Sequence, residues 1–415
     1  MFLTVIPATA SADENSSIGS NSSIVNTHVN TYVYITNSNC NSVSVIDTST
    51  NTVIYTVKVG AYPIGVAVAP DGLNVYVANS GNNSVSVIDT ATNTVTATVE
   101  IGIIPFGVAV SPDGSKVYVT NFNSNNLSVI NTANNTVIAT VDVGSIPRGV
   151  VVSPDGSKVY VANSGNNSVS VIDTATNTVT STVSVGDNPI GVAVIPDGSK
   201  VYVANHKSDS VSVINTSTNN VTSTVNVGYG PWGAAASPDG SKVYVTNAEG
   251  TVSIIDTATN NVTGTVDVEE FPIGVSVTPD GSKVYVTNSD SNNVSVIDTA
   301  TNTVIAAVKV GSNPVTFGQS IGIKQILTEE NPVLPVAAFS ACPVSGKAPL
   351  KVKFRDKSTG SPTSWRWNFG DNCTSTAQNP IHKYLKKGEY TVSLKVKNAA
   401  GCDIVKKTQY VIVKN

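Results

Sequence analysis

Charge is scarce in this chain. Only 13% of its 415 residues are Asp, Glu, Lys or Arg, and the formal net charge is −4. A nucleic-acid partner needs a basic face, which this composition does not supply. Histidine is scarcer still, with His28, His206 and His382 alone. His28 falls in an N-terminal lead and His382 in a C-terminal segment, so the body of the chain keeps His206, read as a surface residue. One histidine does not assemble a catalytic triad or a three-histidine metal site. The cysteines are Cys40, Cys342, Cys373 and Cys402, and none belongs to a C-x-x-C pair, which argues against a zinc knuckle. Helical periodicity is almost absent, so no glycine-rich loop leads from a strand into a helix to cradle phosphate. No apolar run reaches the ~18 residues that span a bilayer. No cofactor or metal is expected.

What is present is repetition. Val75-Tyr76-Val77-Ala78-Asn79 recurs around Tyr34, Tyr118, Tyr160, Tyr202, Tyr244 and Tyr285, at intervals of 42 residues five times and then 41. Apolar and polar residues alternate in each copy, the period of a strand. A fixed interval of this size marks a repeated structural unit. Regular Val and Ile positions supply apolar surface in every copy, so the Ser, Thr and Asn content does not signify a disordered stalk.

The unit is clearest at residues 105–144. Strand a is Gly107–Val110, then the turn Ser111-Pro112-Asp113-Gly114. Strand b is Lys116–Asn121, strand c Leu127–Ile130, and strand d Thr136–Val143. Four short antiparallel strands in about 42 residues is one propeller blade. Pro-Asp-Gly presets one φ and allows positive φ at Gly. The c–d turn carries Asp47, Asp89, Asp173, Asp256 and Asp298, but Asn131 and Asn215 in two copies. This exchange keeps the oxygen acceptor and drops the charge, as an Asx turn permits and a ring of metal-binding carboxylates does not. The asparagines ending strand b are assigned to loop backbone groups.

Strands b, c and d occur seven times, but strand a with its turn only six. The missing copy is assigned to residues 315–321, which follow Gly311-Ser312-Asn313-Pro314 as Ile64 onward follows Gly60-Ala61-Tyr62-Pro63. It is expected to pair beside Tyr34 and close a ring of seven blades, sparing two blade faces from water.

The Tyr-Val-Thr/Ala-Asn strand, followed by Val-Ser-Val-Ile-Asp-Thr and with Ser-Pro-Asp-Gly between, resembles the YVTN-type β-propeller repeat over about residues 31–323. Residues 1–30 read as a leader, and Met1–Ala12, with small residues in A-x-A spacing, looks like the end of a secretory signal. Asn-x-Ser/Thr sequons, among them Asn82 and Asn166, accord with export. Residues 324–335 are charged and proline-bearing, as in a linker. Beyond them, strand-like runs suit a small sandwich. Trp365-Arg366-Trp367-Asn368-Phe369-Gly370-Asp371, Asn379-Pro380-Ile381-His382-Lys383-Tyr384 and Gly388-Glu389-Tyr390-Thr391-Val392 resemble the PKD domain over residues 336–415, with Asn372 in place of the usual Gly. The fold class is therefore all-β: a seven-bladed propeller of four-stranded blades followed by an Ig-like β-sandwich. If strands alternate direction in that domain, its three cysteines share one end, and Cys373–Cys402 is the candidate disulfide.

Function is sought where the copies disagree. The a–b and c–d turns share one face and are nearly uniform. The d–a and b–c loops share the other and are not: they carry Tyr62, Phe106, Arg148, Tyr229, Trp232 and Phe271 as candidate binding residues, with Phe122, His206 and Glu249 near them. Individuality confined to one face is what a binding surface shows. Propellers also host enzymes such as lactonases and quinone-dependent dehydrogenases. Those place charged or metal-binding residues on the central channel, whereas strand a here is Gly-Val-Ala-Val. The propeller–PKD combination resembles archaeal surface-layer proteins. That resemblance implies an extracellular, non-enzymatic role in surface-layer structure or adhesion, with other cell-surface proteins, a second copy of the chain or glycans as partners.

Overall fold

The computed structural model describes residues 25–329 and 333–415. They form two compact units, one of Val29–Ile326 and one that takes in Leu327–Asn415. Among the described residues there is no α-helix, and no helix is long and apolar enough to cross a membrane.

The first unit is a ring of seven four-stranded antiparallel blades. Six are continuous in sequence, as in blade 2: Pro63–Val68, Asn74–Asn79, Ser84–Asp89 and Thr94–Glu100. Blade 1 joins Val25–Asn37, Ser42–Asp47 and Thr52–Lys58 to Ile321–Glu329 from the far end of the unit. Strands b and c are buried on both faces because each blade is packed between two neighbours, while strand d, at the rim, exposes most of its residues. Valines of one blade pack on Tyr and Ile of the next. At the junction that closes the ring, Val33, Ile35 and Ile46 meet Tyr285, Val294 and Val296. Polar straps cross the same interfaces. Lys116 Nζ donates to Thr174 O at 2.8 Å, and Lys283 repeats the bond across the closure to Thr48 O at 2.6 Å.

The strand-b asparagines clamp strand c within the blade, and Asn37 also meets the loop backbone as expected, its Oδ1 accepting the Gly311 N–H at 3.0 Å. Asn79 is fully buried, and its Nδ2 donates to Ser84 Oγ at 3.2 Å and Ser86 Oγ at 2.9 Å on strand c. The same clamp recurs from Asn37 to Asn288. The c–d turn residues accept backbone N–H groups, as Asp89 does from Thr92 and Asn131 from Ala133.

Closure differs from the expectation that residues 315–321 form a strand along Tyr34. Only the ends of that segment pair there: Val315 N–H donates to Thr36 O, and Tyr34 N–H to Ser320 O, both at 2.9 Å. Between them the chain swings inward. Phe317 O accepts from Val66 N–H and Gln319 O from Val68 N–H, while Phe317 bridges Gly65 and Gly318 bridges Val108. The ladder strand proper is Ile321–Glu329, so strand structure enters the region assigned to a linker. Linker residues 330–332 lie outside the described residues, while 333–335 are described without regular structure; most of the 1–30 leader also lies outside, and strand b of blade 1 begins at Val25.

The physical reason is steric. In the other blades strand a carries a glycine against the next blade's carbonyl; a Cβ on Gly107 would lie 2.4 Å from Arg148 O, and on Gly274 2.1 Å from Thr316 O. The closing segment has Thr316 at that place, so it cannot take the same path. Its glycine comes two residues later. Gly318, at φ +127°, has Val66 O and Val108 O within 2.5 Å of where its Cβ would be.

The second unit packs a three-stranded sheet (Phe339–Cys342, Leu350–Asp356, Ile381–Tyr384) on a five-stranded one (Ser345–Lys347, Gly401–Lys414, Gly388–Asn398, Ser364–Asn368, Thr374–Ser375). Trp367 lies fully buried among Phe354, Phe369 and Leu394, with its Nε1 donating to Ala377 O at 2.9 Å. All four cysteines are free, so the Cys373–Cys402 disulfide is not formed. Cys402 pairs with Lys397 at one end of the five-stranded sheet. Cys373 lies beyond Asn368, which pairs with Ser393. Four residues of strand from 393 to 397 are roughly 13 Å, too far for a disulfide.

Burial of the repeat tyrosines makes stability depend on pH. Burial, and secondarily Asp113, Asp155 and Asp256 in turn, push Tyr118, Tyr160 and Tyr202 up to about 12. An unfolded chain ionises tyrosine near pH ~10. Above that the unfolded state binds fewer protons than the folded one, so stability present below pH ~10 is lost as pH rises toward ~12. Denaturant midpoints measured against pH should fall across this window. Tyr160→Phe, which removes a buried hydroxyl with no partner, should leave neutral-pH stability intact and make the fall shallower. A flat alkaline profile would contradict the packing described.

Candidate functional site

The inward swing of the closing segment builds the site. Phe317 is buried at the axis among Ile64, Phe106, Ile190 and Ile273, with Phe122, Trp232 and Phe271 packed against them. Its ring lies 4.8 Å from Phe106 and 6.2 Å from Trp232. Trp232 meets Phe271 edge-on at 5.9 Å and His206 at 5.0 Å. This cluster lies on the d–a and b–c loop side. Away from it runs a cavity of about 630 Å³, lined by strand-a residues such as Val108, Val150 and Ala193 and by the Pro-Asp-Gly prolines.

Arg148 reaches into the cluster. Its guanidinium carbon is 5.4 Å from the Phe106 centroid, 5.3 Å from Phe122 and 5.6 Å from Trp232. Such contacts are worth about 0.5–2 kcal/mol each, depending on desolvation. No ion pair involves it among the described residues, and its Nε is buried without a partner. Burial pulls its pKa below the usual arginine value. The Trp232 Nε1–H is also buried and unpartnered. Buried donors without acceptors cost free energy unless something answers them. The arrangement is suited to an anionic or carbonyl-bearing group placed on aromatic rings.

Of the residues chosen from sequence, Phe106, Arg148, Trp232 and Phe271 come together here. Tyr62 and Tyr229, 48% and 67% exposed, stand on the same loops but outside the cluster. His206 is no simple surface residue: it is half-buried against Trp232, and burial, with Arg148 adding, holds its pKa below the ordinary value against the carbonyl of Gly230. Phe317 was missed as a site residue; the sign of it was Thr316 in place of glycine.

The loops that present these groups are strained. The residue before each loop proline has left-handed backbone, including Ile104 at φ +54°, Ile146 at +55° and Phe271 at +52°. A β-branched residue seldom adopts this conformation. It is held from both sides: Ile146 N–H donates to Asn125 Oδ1 at 2.9 Å, and Ile146 O accepts from Ser164 N–H at 3.0 Å.

With the geometry in hand, the molecule belongs to a definite class, a β-propeller followed by a PKD domain. Residues 151–250 match the YNCE-like beta-propeller family and residues 329–413 the PKD domain, while residues 28–144 match the cytochrome D1 heme domain. Collagenase ColA of Bacillus cereus is 34% identical over 100 residues, 23% of this chain and 10% of that protein. A microbial collagenase of Vibrio alginolyticus is 38% identical over 60 residues, 14% of this chain and 7% of its own. The chain thus spans about a tenth or less of these relatives. Among solved structures, hydrazine synthase of Kuenenia stuttgartiensis is similar at 24% identity and TM-score 0.57, over 64% of this chain and 95% of its own. A functionally unknown protein of Desulfotomaculum acetoxidans follows at 18% and 0.60, over 69% and 99%. These two likenesses show the fold alone.

Two substitutions test the site. Asn already occupies the pre-proline position at Asn188 and Asn313, so Ile146→Asn should stabilise the fold by ~1 kcal/mol in denaturant unfolding by relieving left-handed strain. Arg148→Met keeps contact with the rings through its thioether and removes an unpaired charge. It should change stability by no more than ~1 kcal/mol. A loss above ~2 kcal/mol would make Arg148 a packing residue and not a group held open for a ligand.

Proposed function

We propose that this protein is a non-enzymatic component of the cell envelope, with the propeller as a rigid platform for protein–protein or cell–cell contacts and the PKD domain as spacer or second contact module. Surface-layer assembly or adhesion is the setting, outside the cell, and the partner is another surface protein or a second copy of the chain. The observation that carries this reading is Arg148: a charge with no acidic partner, seated on three aromatic rings on the one face where the blades differ. An acidic side chain of a partner would complete it, and aromatic-plus-arginine clusters are the usual anchors of protein interfaces.

The enzyme reading has one specific support, the cytochrome D1 heme domain match at residues 28–144. A haem needs an axial His, Cys, Met or Tyr. The cavity at the ring axis is lined by Val, Ala, Gly, Pro, Ser, Thr, Gln, Ile and Phe and by none of these. The residues present do not fit a haem, and no chemistry is assigned through one. Glycan binding through Trp232, Tyr229 and Phe106 is weakened by the separation of Tyr229 from the other two.

The test uses the full chain and its Arg148→Met variant. Binding of each to intact cells of the source organism and self-association by analytical ultracentrifugation are measured. Loss of one interface anchor, worth ~2 kcal/mol or more, should weaken binding or self-association roughly 30-fold or more. Equal behaviour of the two proteins, or a haem absorbance band in protein purified from its native source, would overturn the proposal.

A further inference from the structure

The second unit holds a group of side chains that the proposed function does not use. Asp371, Cys373 and His382 bring one carboxylate oxygen, one thiol and one imidazole nitrogen within 4.8 Å of one another. Asp371 Oδ2 and His382 Nε2 are 2.7 Å apart. From this geometry we propose that Asp371, Cys373 and His382 form a binding site for a divalent transition-metal ion, zinc by ligand chemistry, that staples the two sheets of the sandwich together.

The donor set argues for the metal. Thiolate and imidazole together favour zinc over the hard cations magnesium and calcium, which take oxygen ligands. Zinc accepts Cys, His and Asp at about 2.0–2.3 Å in tetrahedral geometry, which sets ligand atoms roughly 3.3–3.5 Å apart. The Asp–His pair would open by less than ~1 Å and the sulfur would close by a comparable distance. Cys373 is exposed on a turn, so its side chain is free to make that movement. The fourth position would be left for water.

The groups are already oriented. The His382 ring lies flat on Phe369, at 4.3 Å and 3° between planes, with Tyr384 edge-on at 4.7 Å. Asp371 Oδ1 accepts the backbone N–H of Cys373 at 3.2 Å, which leaves Oδ2 toward the histidine. Supports of this kind fix ligands around metals. Ligation by a thiolate would release a proton on binding, so affinity should rise with pH.

The placement gives the ion a purpose. Asp371 and Cys373 sit in the hairpin between Ser364–Asn368 and Thr374–Ser375 of the five-stranded sheet, and His382 lies in Ile381–Tyr384 of the three-stranded one. Among the described residues no disulfide joins the sheets. Small domains of this size gain from such a cross-link.

The test titrates the full chain with cobalt(II) as a spectroscopic probe and with zinc(II) in competition. The proposal expects one equivalent bound, near-ultraviolet thiolate-to-cobalt absorption, displacement by zinc, and protection of Cys373 from alkylation read by mass spectrometry. Cys373→Ser should abolish the thiolate band, and His382→Gln should weaken binding more than ~100-fold, since even outer partners are worth 10–100-fold. The Cys40→Ser, Cys342→Ser, Cys402→Ser triple variant should bind as wild type does. Zinc should raise the unfolding midpoint of the second unit, and not in Cys373→Ser, whose exposed position makes it fold regardless. Absence of a thiolate band, binding undiminished by Cys373→Ser, or binding only at millimolar metal would overturn the proposal.

Discussion

Closure of the ring is the constraint on which the first unit depends. Each blade buries its valines only because another blade stands on either side, and a break at any junction would expose two such faces. The chain meets this at one place, where residues 314–329 from the end of the unit return to the strand that begins it. The bonds from Val315 to Thr36 O and from Tyr34 to Ser320 O hold the two ends of one polypeptide together. The Lys283–Thr48 strap and the Tyr285 packing at that junction copy those at the others, and the largest departure is at the axis.

That difference at the axis is where architecture turns into a site. A seventh regular strand a would not bring Phe317 to the axis among Ile64, Phe106, Ile190 and Ile273. Thr316 forbids the close approach that glycine allows elsewhere, the chain is deflected, and Phe317 enters the axis. One end of the channel becomes a packed aromatic cluster while the cavity remains toward the other. The cluster then gives Arg148 and Trp232 a surface to lie on. A latch required for stability thereby also makes the base of a candidate binding face.

The ring was legible because it is repeated: tyrosines at a constant interval, alternation within each strand, and Pro-Asp-Gly at every a–b turn. The PKD sandwich was legible from its aromatic motifs. What escaped was whatever occurs once. The path of residues 316–319 rests on a single Thr-for-Gly exchange, and it becomes visible only when strand-a glycines are known to touch the next blade's carbonyl. The expected Cys373–Cys402 pair failed because strand direction alone does not give register, and register separates them by several residues. Choosing the variable loops did collect four of the residues that converge, but loop membership could not separate Tyr62 and Tyr229, which point away, from Trp232, which packs inward.

The same loops bear on whether the variable face is free drift. Drift under no constraint should remove costs, and isoleucine at left-handed φ is a cost that one substitution to Asn or Gly would relieve. Two copies nonetheless keep isoleucine and two more hold Tyr62 and Phe271 there, while the other three use Asn or Gly. Arg148 sets a second cost beside the first, a charge withdrawn from water with no acid to answer it. The two sit two residues apart on one strand entry, and the other copies place an uncharged residue (Ile64, Phe106, Ile190, Trp232, Ile273 or Val315) where Arg148 stands. Costs concentrated at one edge of a repeat otherwise built from near-identical low-energy parts are what motivates the interface proposed above. In the interface proposed above, an acceptor on the partner would answer the Arg148 charge. Neutral divergence would have to account for each separately.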